Sequence, residues 1–389
     1  MKQALIFIVF SCILCFVFCQ TGDNLKNLLT DLFTTNNYNK YVRPSKSQSA
    51  VSSTDVHVSF FLAGIGELNE ISEKLTTTGY LSITWKDQYL TWNASNYGSI
   101  EYIIYPQDAI WKPDISLQNG FTKMKELGSS FVNVKVDYRG TVTWQPFEIF
   151  ESHCTVDTKY FPFDEQTCDL VFVCWSYNYQ EVNLTSGSDT IQYYDDFSSN
   201  GEWLVVGSSS LVENTGVEVK VTFSLTVKRK PHYFILNMMM PVLLLSVLNL
   251  FTFAIPCDSG ERMSYSITVW LSFAVFLTVI NANLPQSSNI SVIAVYGIMQ
   301  LFITTIVVIT SAIQLRINSY SEEKKIPKIL TRCVSACGNT AKICPVKCVE
   351  MELRACWKDV VSALDFVFFW SCFIVNFLIT LICYCYATL

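Results

Sequence analysis

The chain has 389 residues, half of them apolar and only 15% charged, a charged fraction low for a soluble protein of this size. The net charge of −6 comes with no block of like charge, which argues against a nucleic-acid partner or an acidic-substrate surface. The three histidines, His57, His153 and His232, are scattered and offer no catalytic constellation, so neither an enzyme nor a cofactor is indicated.

The averages conceal two halves. Residues 20–230 read as a polar globular domain, whereas 231–389 hold almost all the long apolar runs, and no internal repeat or low-complexity tract is visible. The N-terminus has Lys2, an apolar run from Ala4 to Phe18, then Cys19 and Gln20. This pattern predicts a secretory signal peptide over residues 1–19; the run is short for a retained anchor, and polar residues follow at once. Residues 24–38, with Leu25, Leu28, Leu29 and Leu32 on one side, predict a short amphipathic helix.

Alternating apolar runs then recur at residues 56–62, 80–85, 131–136, 141–144, 169–173 and 217–227. In the last, Val217, Val219, Val221, Phe223, Leu225 and Val227 share one face at period two. Gly, Asn, Asp and Pro separate the runs, which predicts an antiparallel β-sandwich. The domain holds three cysteines, Cys154, Cys168 and Cys174. Secretion places them in an oxidising compartment that favours a disulfide. Joining Cys154 to Cys168 would close a loop of thirteen residues, worth roughly 3 kcal/mol on the chain-entropy model. Cys174 would then be an odd, buried thiol. Asn93 and Asn183 begin glycosylation sequons; a third, at Asn289, falls at a membrane boundary and is expected to be unused.

Four charge-free apolar segments, at about residues 233–255, 263–282, 289–313 and 366–389, are each long enough to cross a bilayer as a helix. Nine basic residues from Arg316 to Lys358 lie between the third and fourth segments, against no charge over 283–288. Basic loops stay cytoplasmic, so the N-terminal domain and the C-terminus are expected outside. The domain plan is therefore a signal peptide (1–19), an extracellular domain (20–230), three spans (231–317), a short cytoplasmic segment (318–363) and a fourth span (364–389). Cys333, Cys337, Cys344 and Cys348 in the cytoplasmic segment have a spacing that is a weak candidate for zinc. Small apolar residues or acylation sites are the competing readings.

Within the second span, Glu261, Ser264, Thr268, Leu271, Val275 and Val279 recur at steps of three and four and share one helical face. That face is charged at its cytoplasmic end, hydroxylated next and apolar beyond. By itself it fits a hydroxyl-bearing helix–helix contact in the membrane as well as a pore lining.

Cys154-x13-Cys168, with Phe161-Pro162-Phe163-Asp164 inside it, resembles the signature of the Cys-loop receptors, the pentameric ligand-gated ion channels. Trp85-x-Asp87-x-x-Leu90-x-Trp92, Trp111-x-Pro113-Asp114-Ile115, Gly201-Glu202-Trp203, Lys228-Arg229-Lys230 and Asp258-Ser259-Gly260-Glu261 follow in the family's order. Within the family the chain is most similar to nicotinic acetylcholine receptor subunits. The resemblance implies an extracellular antiparallel β-sandwich with a short N-terminal helix above a four-helix transmembrane bundle. It also implies assembly with four other subunits, of the same or related type, into a pentamer around a central pore in the plasma membrane, with postsynaptic membrane one setting. The partners implied are membrane lipid, a small extracellular ligand and the permeant cations Na, K and, in some members, Ca.

In this reading Glu261 forms an anionic ring, Ser264 and Thr268 meet hydrated ions, and Leu271, Val275 and Val279 form apolar rings that close by dewetting. Arg262 should turn away from the axis. Ala282 stands at the outer mouth, where an acid is frequent, and this bears on divalent enrichment. Trp175 aligns with the tryptophan on which an agonist's ammonium rests, with Tyr177 close by, and Tyr80 aligns with the aromatic of the complementary face. Gln118 replaces an expected tyrosine, and the ligand-closing segment 207–220 has no aromatic residue and no cysteine pair. Asn133, Lys135, Thr143 and Gln145 would complete the complementary wall, with Lys135 disfavouring a cation. Glu70 and Arg229 align with a coupling ion pair, and Phe161, Pro162, Phe163 and Asp164 would rest near Pro285. Three readings compete: a cation channel with an agonist other than acetylcholine, a subunit that needs a partner to supply the principal binding face, and a non-conducting cell-surface binding receptor.

Overall fold

The computed structural model describes residues 20–48, 52–282, 291–320 and 357–388. The signal peptide expected over 1–19, the unused sequon at Asn289, the coupling residue Pro285, and Cys333, Cys337, Cys344 and Cys348 lie outside the described residues. Two compact units divide the chain: residues to Val156 together with Glu165–Lys228, and Asp157–Asp164 together with Arg229 onward.

The first unit opens with helix α1 (Gly22–Leu29), whose N-terminus is capped by the Thr21 hydroxyl accepting from Asn24 N–H. The chain continues as a π-helical turn over Thr30–Thr35, so the amphipathic face bends and still buries Leu28 and Leu32. Twelve strands follow: β1 (Thr54–Asn69), β2 (Lys74–Lys86), β3 (Tyr102–Pro106), β4 (Ile115–Leu117), β5 (Asn133–Asp137), β6 (Thr141–Trp144), β7 (Phe147–His153), β8 (Glu165–Cys174), β9 (Val182–Ser186), β10 (Gln192–Ser198), β11 (Trp203–Asn214) and β12 (Val219–Arg229). One sheet runs β10-β1-β2-β6-β5-β3, with β7 also on β2 and β9 on β1; the second runs β11-β12-β8-β4.

Alternation explains which side of each strand is inside. Val56, Val58, Phe60 and Leu62 of β1 and Leu81, Ile83 and Trp85 of β2 face Leu170 and Phe172 of β8 and Val221, Phe223, Leu225 and Val227 of β12. The expected antiparallel sandwich is therefore present, with two departures from strict antiparallel order: β9 and β10 both run parallel to β1. The run expected from Val217 begins at Val219, because residues 215–218 make a tight turn. There Thr215 N–H donates to Glu218 O (3.0 Å) and the Thr215 hydroxyl accepts from Glu218 N–H (3.2 Å). Cys154 and Cys168 are joined as a disulfide, and Cys174 is a buried free thiol whose pKa burial pushes up.

Among its described residues the second unit contains four long apolar helices: α2 (His232–Ala254), α3 (Arg262–Ala282), α4 (Val292–Asn318) and α5 (Trp357–Thr388). Each is long and apolar enough to cross a membrane. α2 contains a π-helical turn at Ile235–Met239, just before Pro241, which lacks the N–H that an unbroken α-helical ladder would use. The last helix starts at Trp357, earlier than the apolar run at residue 366. Residues 357–363, expected within the cytoplasmic segment, continue into it, with Val360 and Val361 buried and Asp365 held by Arg262.

Candidate functional site

The residues expected to form a binding site fall on two surfaces of the first unit. Trp175 follows β8 directly, and its own backbone and that of Ser176 are pinned by Asp114: Trp175 N–H donates to Asp114 O (3.3 Å) and Ser176 N–H to Asp114 Oδ2 (2.6 Å). The Trp111–Ile115 motif thus presents Trp175, which is 64% exposed although its neighbour Cys174 is buried. Tyr177 does a different job. Its hydroxyl accepts from Trp111 Nε1 (3.2 Å), its ring packs 6.0 Å from that of Trp111, and it is partly buried against the core. Gln118 sits just after β4, half-buried, with its N–H on Val171 O. Nearby, the β11–β12 turn touches this surface through Tyr179 N–H, which donates to Val217 O (3.2 Å).

Tyr80, Asn133, Lys135 and Thr143 lie on the outward face of the larger sheet. Lys135 pairs with Thr143, Thr143 with Thr84, and Thr84 shares its face of β2 with Tyr80 by period two. Gln145, exposed, follows β6 directly. The Lys135 ammonium is drawn over the ring of Tyr102, 4.4 Å from its centroid.

Two aromatic rings absent from the sequence reading surround Tyr80. Phe61, its partner in the β1–β2 register, stacks on it at 4.7 Å with the planes 4° apart, and Tyr194 meets it edge-on at 6.0 Å. Burial, then the Asp195 carboxylate and Tyr194, push the Tyr80 hydroxyl pKa up, so it stays neutral near neutral pH. Only the run Tyr193-Tyr194-Asp195-Asp196 hinted at this in sequence. Phe61 gave no signal beyond its place in a strand.

In the second unit, the segment Asp157–Asp164 packs among the helices. Arg229 Nε donates to Asp164 Oδ1 (2.7 Å) and its Nη2 to Asp164 Oδ2 (3.0 Å), while Arg229 N–H donates to Asp164 O (3.2 Å). Both side chains are buried, so desolvation makes each depend on the other. The guanidinium also lies 4.9 Å from the Phe161 ring and 5.3 Å from the Phe234 ring. Phe161-Pro162 is cis. Arg229 is also the residue that the family resemblance pairs with Glu70, alongside this bidentate contact with Asp164. Glu70 itself is half-buried in the turn between β1 and β2.

Helix α3 separates two faces. Glu261 just before it, and Ser264, Thr268, Leu271, Val275, Val279 and Ala282 along it, are exposed in the single chain, whereas Ser266, Val269, Phe273 and Ile280 are buried. Arg262 goes with the second set: it is fully buried and donates to Gln314 Oε1 (2.5 Å), Asp365 Oδ1 (2.6 Å) and Cys257 Sγ (3.0 Å). Thr268 and Ser272 spend their hydroxyl protons on the carbonyls of Ser264 and Thr268 (both 2.9 Å), leaving oxygen lone pairs as acceptors. Below, Asp258 accepts from Asn318 Nδ2 and Lys358 Nζ, and these two contacts hold its carboxyl below the usual range.

Comparison with known proteins bears on both units. Residues 25–231 match the neurotransmitter-gated ion-channel ligand binding domain, and residues 238–332 match the neurotransmitter-gated ion-channel transmembrane region. The human neuronal acetylcholine receptor subunit beta-4 is 33% identical over 307 residues, covering 78% of this chain and 61% of the relative. The Caenorhabditis elegans acetylcholine receptor subunit beta-type acr-2 is 37% identical over 281 residues, 71% of this chain and 48% of the relative. The rat neuronal subunit beta-2 is 30% identical over 303 residues, 77% of this chain and 60% of the relative. The chain thus spans about three fifths of the length of the beta-4 relative it matches. With a strand-rich unit and a helical unit matched in order, the chain belongs to the neurotransmitter-gated ion-channel family.

Proposed function

We propose that this chain is one subunit of a pentameric, ligand-gated, cation-selective channel of the nicotinic type, set in the plasma membrane with its β-sandwich outside. The observation that carries this reading is the two-faced helix α3. A side that runs from carboxylate through hydroxyl to apolar is left uncovered by its own chain, while the basic Arg262 is turned inward and neutralised. Five such faces around an axis would attract cations at Glu261, accept hydrogen bonds from their hydration water at Ser264 and Thr268, and dewet between Leu271 and Val279. The Asp164–Arg229 pair and the Phe161 ring would transmit movement to α2.

The ligand end of the proposal is narrower. Trp175 supplies one exposed aromatic face, but Gln118 replaces a ring, Tyr177 is engaged by Trp111, and the β11–β12 turn carries no aromatic. With each aromatic contact to a cation worth roughly 0.5–2 kcal/mol, a homopentamer would bind acetylcholine weakly. The complementary side is better furnished, because Tyr80 stands with Phe61 and Tyr194 beside Asp195. That asymmetry favours a second reading, in which this subunit lends its complementary face to a partner that supplies the principal one.

The test is expression in oocytes, alone and with nicotinic-type partners, recording currents across a ligand panel and a pH range. Currents from the chain alone support the first reading; pentamers that reach the surface but respond only with a partner support the second. In whichever assembly conducts, Glu261→Ala should lower the cation-to-anion permeability ratio, tenfold for each roughly 1.4 kcal/mol of cation stabilisation lost. An unchanged reversal potential in dilute NaCl would remove Glu261 from the filter.

A further inference from the structure

Arg262 is the only charged residue of α3, and it directly follows Glu261, so two opposite charges stand one peptide bond apart at this end of the helix. They point different ways. Glu261 is exposed, whereas the Arg262 guanidinium is fully buried and lies 5.3 Å from the Phe253 ring. Of its three acceptors, Gln314 is neutral, and burial pushes the Cys257 thiol above its ordinary pKa, so that sulfur is uncharged near neutral pH. Among the described residues Arg262 has one ion pair, to Asp365 Oδ1 at 2.6 Å. A single carboxylate on α5 therefore offsets a positive charge that burial would otherwise make costly.

The first turns of α5 are fastened on several sides. Lys358 Nζ donates to Asp258 Oδ2 in the link between α2 and α3 (3.1 Å), and the Trp357 ring meets that of Tyr320, just past α4, edge-on at 5.5 Å. Phe368 stacks on Phe253 of α2 at 5.7 Å, and Val360 and Val361 are buried between these contacts. Together they fix the height and rotation of Asp365, whose side chain is 17% exposed and turned to Arg262.

We infer that Asp365 is a positioning residue for the proposed cation filter: by holding Arg262 on the packed side of α3, it leaves Glu261 as the charge presented beside the pore stripe. The inference deepens the pore reading proposed above and rests on it. Without the carboxylate, the guanidinium gains by leaving the packed interior, and the long arginine side chain can reach the water beside Glu261. There each arginine would offset one glutamate, and five such pairs would turn an anionic ring into a neutral one. Asp365 would thus set the field of a filter that its own side chain does not line.

The test is the reversal potential of the full chain in dilute NaCl, in whichever assembly conducts, with surface delivery scored separately by biotinylation. Asp365→Asn should lower the cation-to-anion permeability ratio roughly three- to tenfold, the range for one unit charge brought close to Glu261 in watery surroundings. Asp365→Glu should retain the wild-type ratio. Asp365→Asn combined with Arg262→Gln should recover it, because no guanidinium is left to reorient. A merely structural role would lower surface delivery and leave the reversal potential where it was. Should Asp365→Asn assemblies stay inside the cell, the variant is diluted among wild-type subunits, and the mixed channels should show a lower single-channel cation conductance. An unchanged reversal potential, an unchanged conductance in the mixed channels, or a double variant as impaired as the single one would overturn the inference. Glu261→Ala separates the two failures. If it too leaves the reversal potential unchanged, the pore reading falls; a shift with Glu261→Ala and none with Asp365→Asn sinks only the role of Asp365.

Discussion

At the scale of single residues, the structure shows which polar groups are committed and which remain available. Asp164 and Arg229 are an example of commitment, since both are buried and bidentate. Asp164→Asn keeps the shape and removes one charge of a buried, bidentate pair, and should cost about 3 kcal/mol of stability. Thermal melts followed by fluorescence size-exclusion of the detergent-solubilised protein would show it; an unchanged melting temperature would mean the arginine finds another partner. Tyr177 and Trp175 show why a motif cannot assign roles by itself. They are two residues apart in one aromatic motif, yet one is hydrogen-bonded to the core tryptophan Trp111 and the other stands in solvent.

At the scale of elements, the β1–β2 pair carries much of the candidate complementary face. Its register shifts at Leu62/Gly64 and again at Ile65/Glu67, and on its other edge β2 pairs with β6 along one half and β7 along the other. Gly79 lies just before the first shift, and a Cβ there would sit 2.3 Å from the Phe61 carbonyl oxygen. Gly79→Ala should therefore push β1 and β2 apart, destabilise the sandwich by about 1–3 kcal/mol, and disturb the Phe61–Tyr80 stack. The expected readout is reduced surface delivery together with a lower melting temperature; normal values of both would show that the strand pair yields without penalty. Helix α3 makes the same point in a different solvent. Its periodic stripe is a local property, but which side is outside depends on Arg262 finding Gln314 of α4 and Asp365 of α5.

At the scale of the whole molecule, the larger sheet leaves large apolar side chains exposed on its outward face. Phe147 and Ile149 of β7 are 53% and 61% exposed and lie on the same sheet face as Tyr80, Phe147 directly opposite it. A contiguous apolar face of this kind marks an interaction surface. Ile149→Lys should leave the fold of the chain intact, because the residue points away from the core, and should shift the proposed pentamer toward smaller species on native gels. A variant that still runs as wild type would place the subunit contact elsewhere.

Much of this protein was legible in its residues alone. The four spans, the alternating strands, the Cys154–Cys168 bridge and the stripe from Glu261 to Val279 are written in short-range periodicity and spacing, and hydrophobic patterning acts locally whatever the remainder of the chain does. Strands with weak alternation, such as β7 and β10, were not legible, because their outward faces are apolar or aromatic and blur the period of two. The Asp164–Arg229 contact, the rings around Tyr80 and the inward turn of Arg262 depend on which elements meet in space. Arg262 and Asp365 are 103 positions apart in the chain, and Asp164 and Arg229 are 65 apart. Sequence determined the four spans, the strongly alternating strands and which side of those strands would seek burial. Only the tertiary structure decided which charges and rings face one another, because burial makes a polar group's worth depend on the partners it can reach.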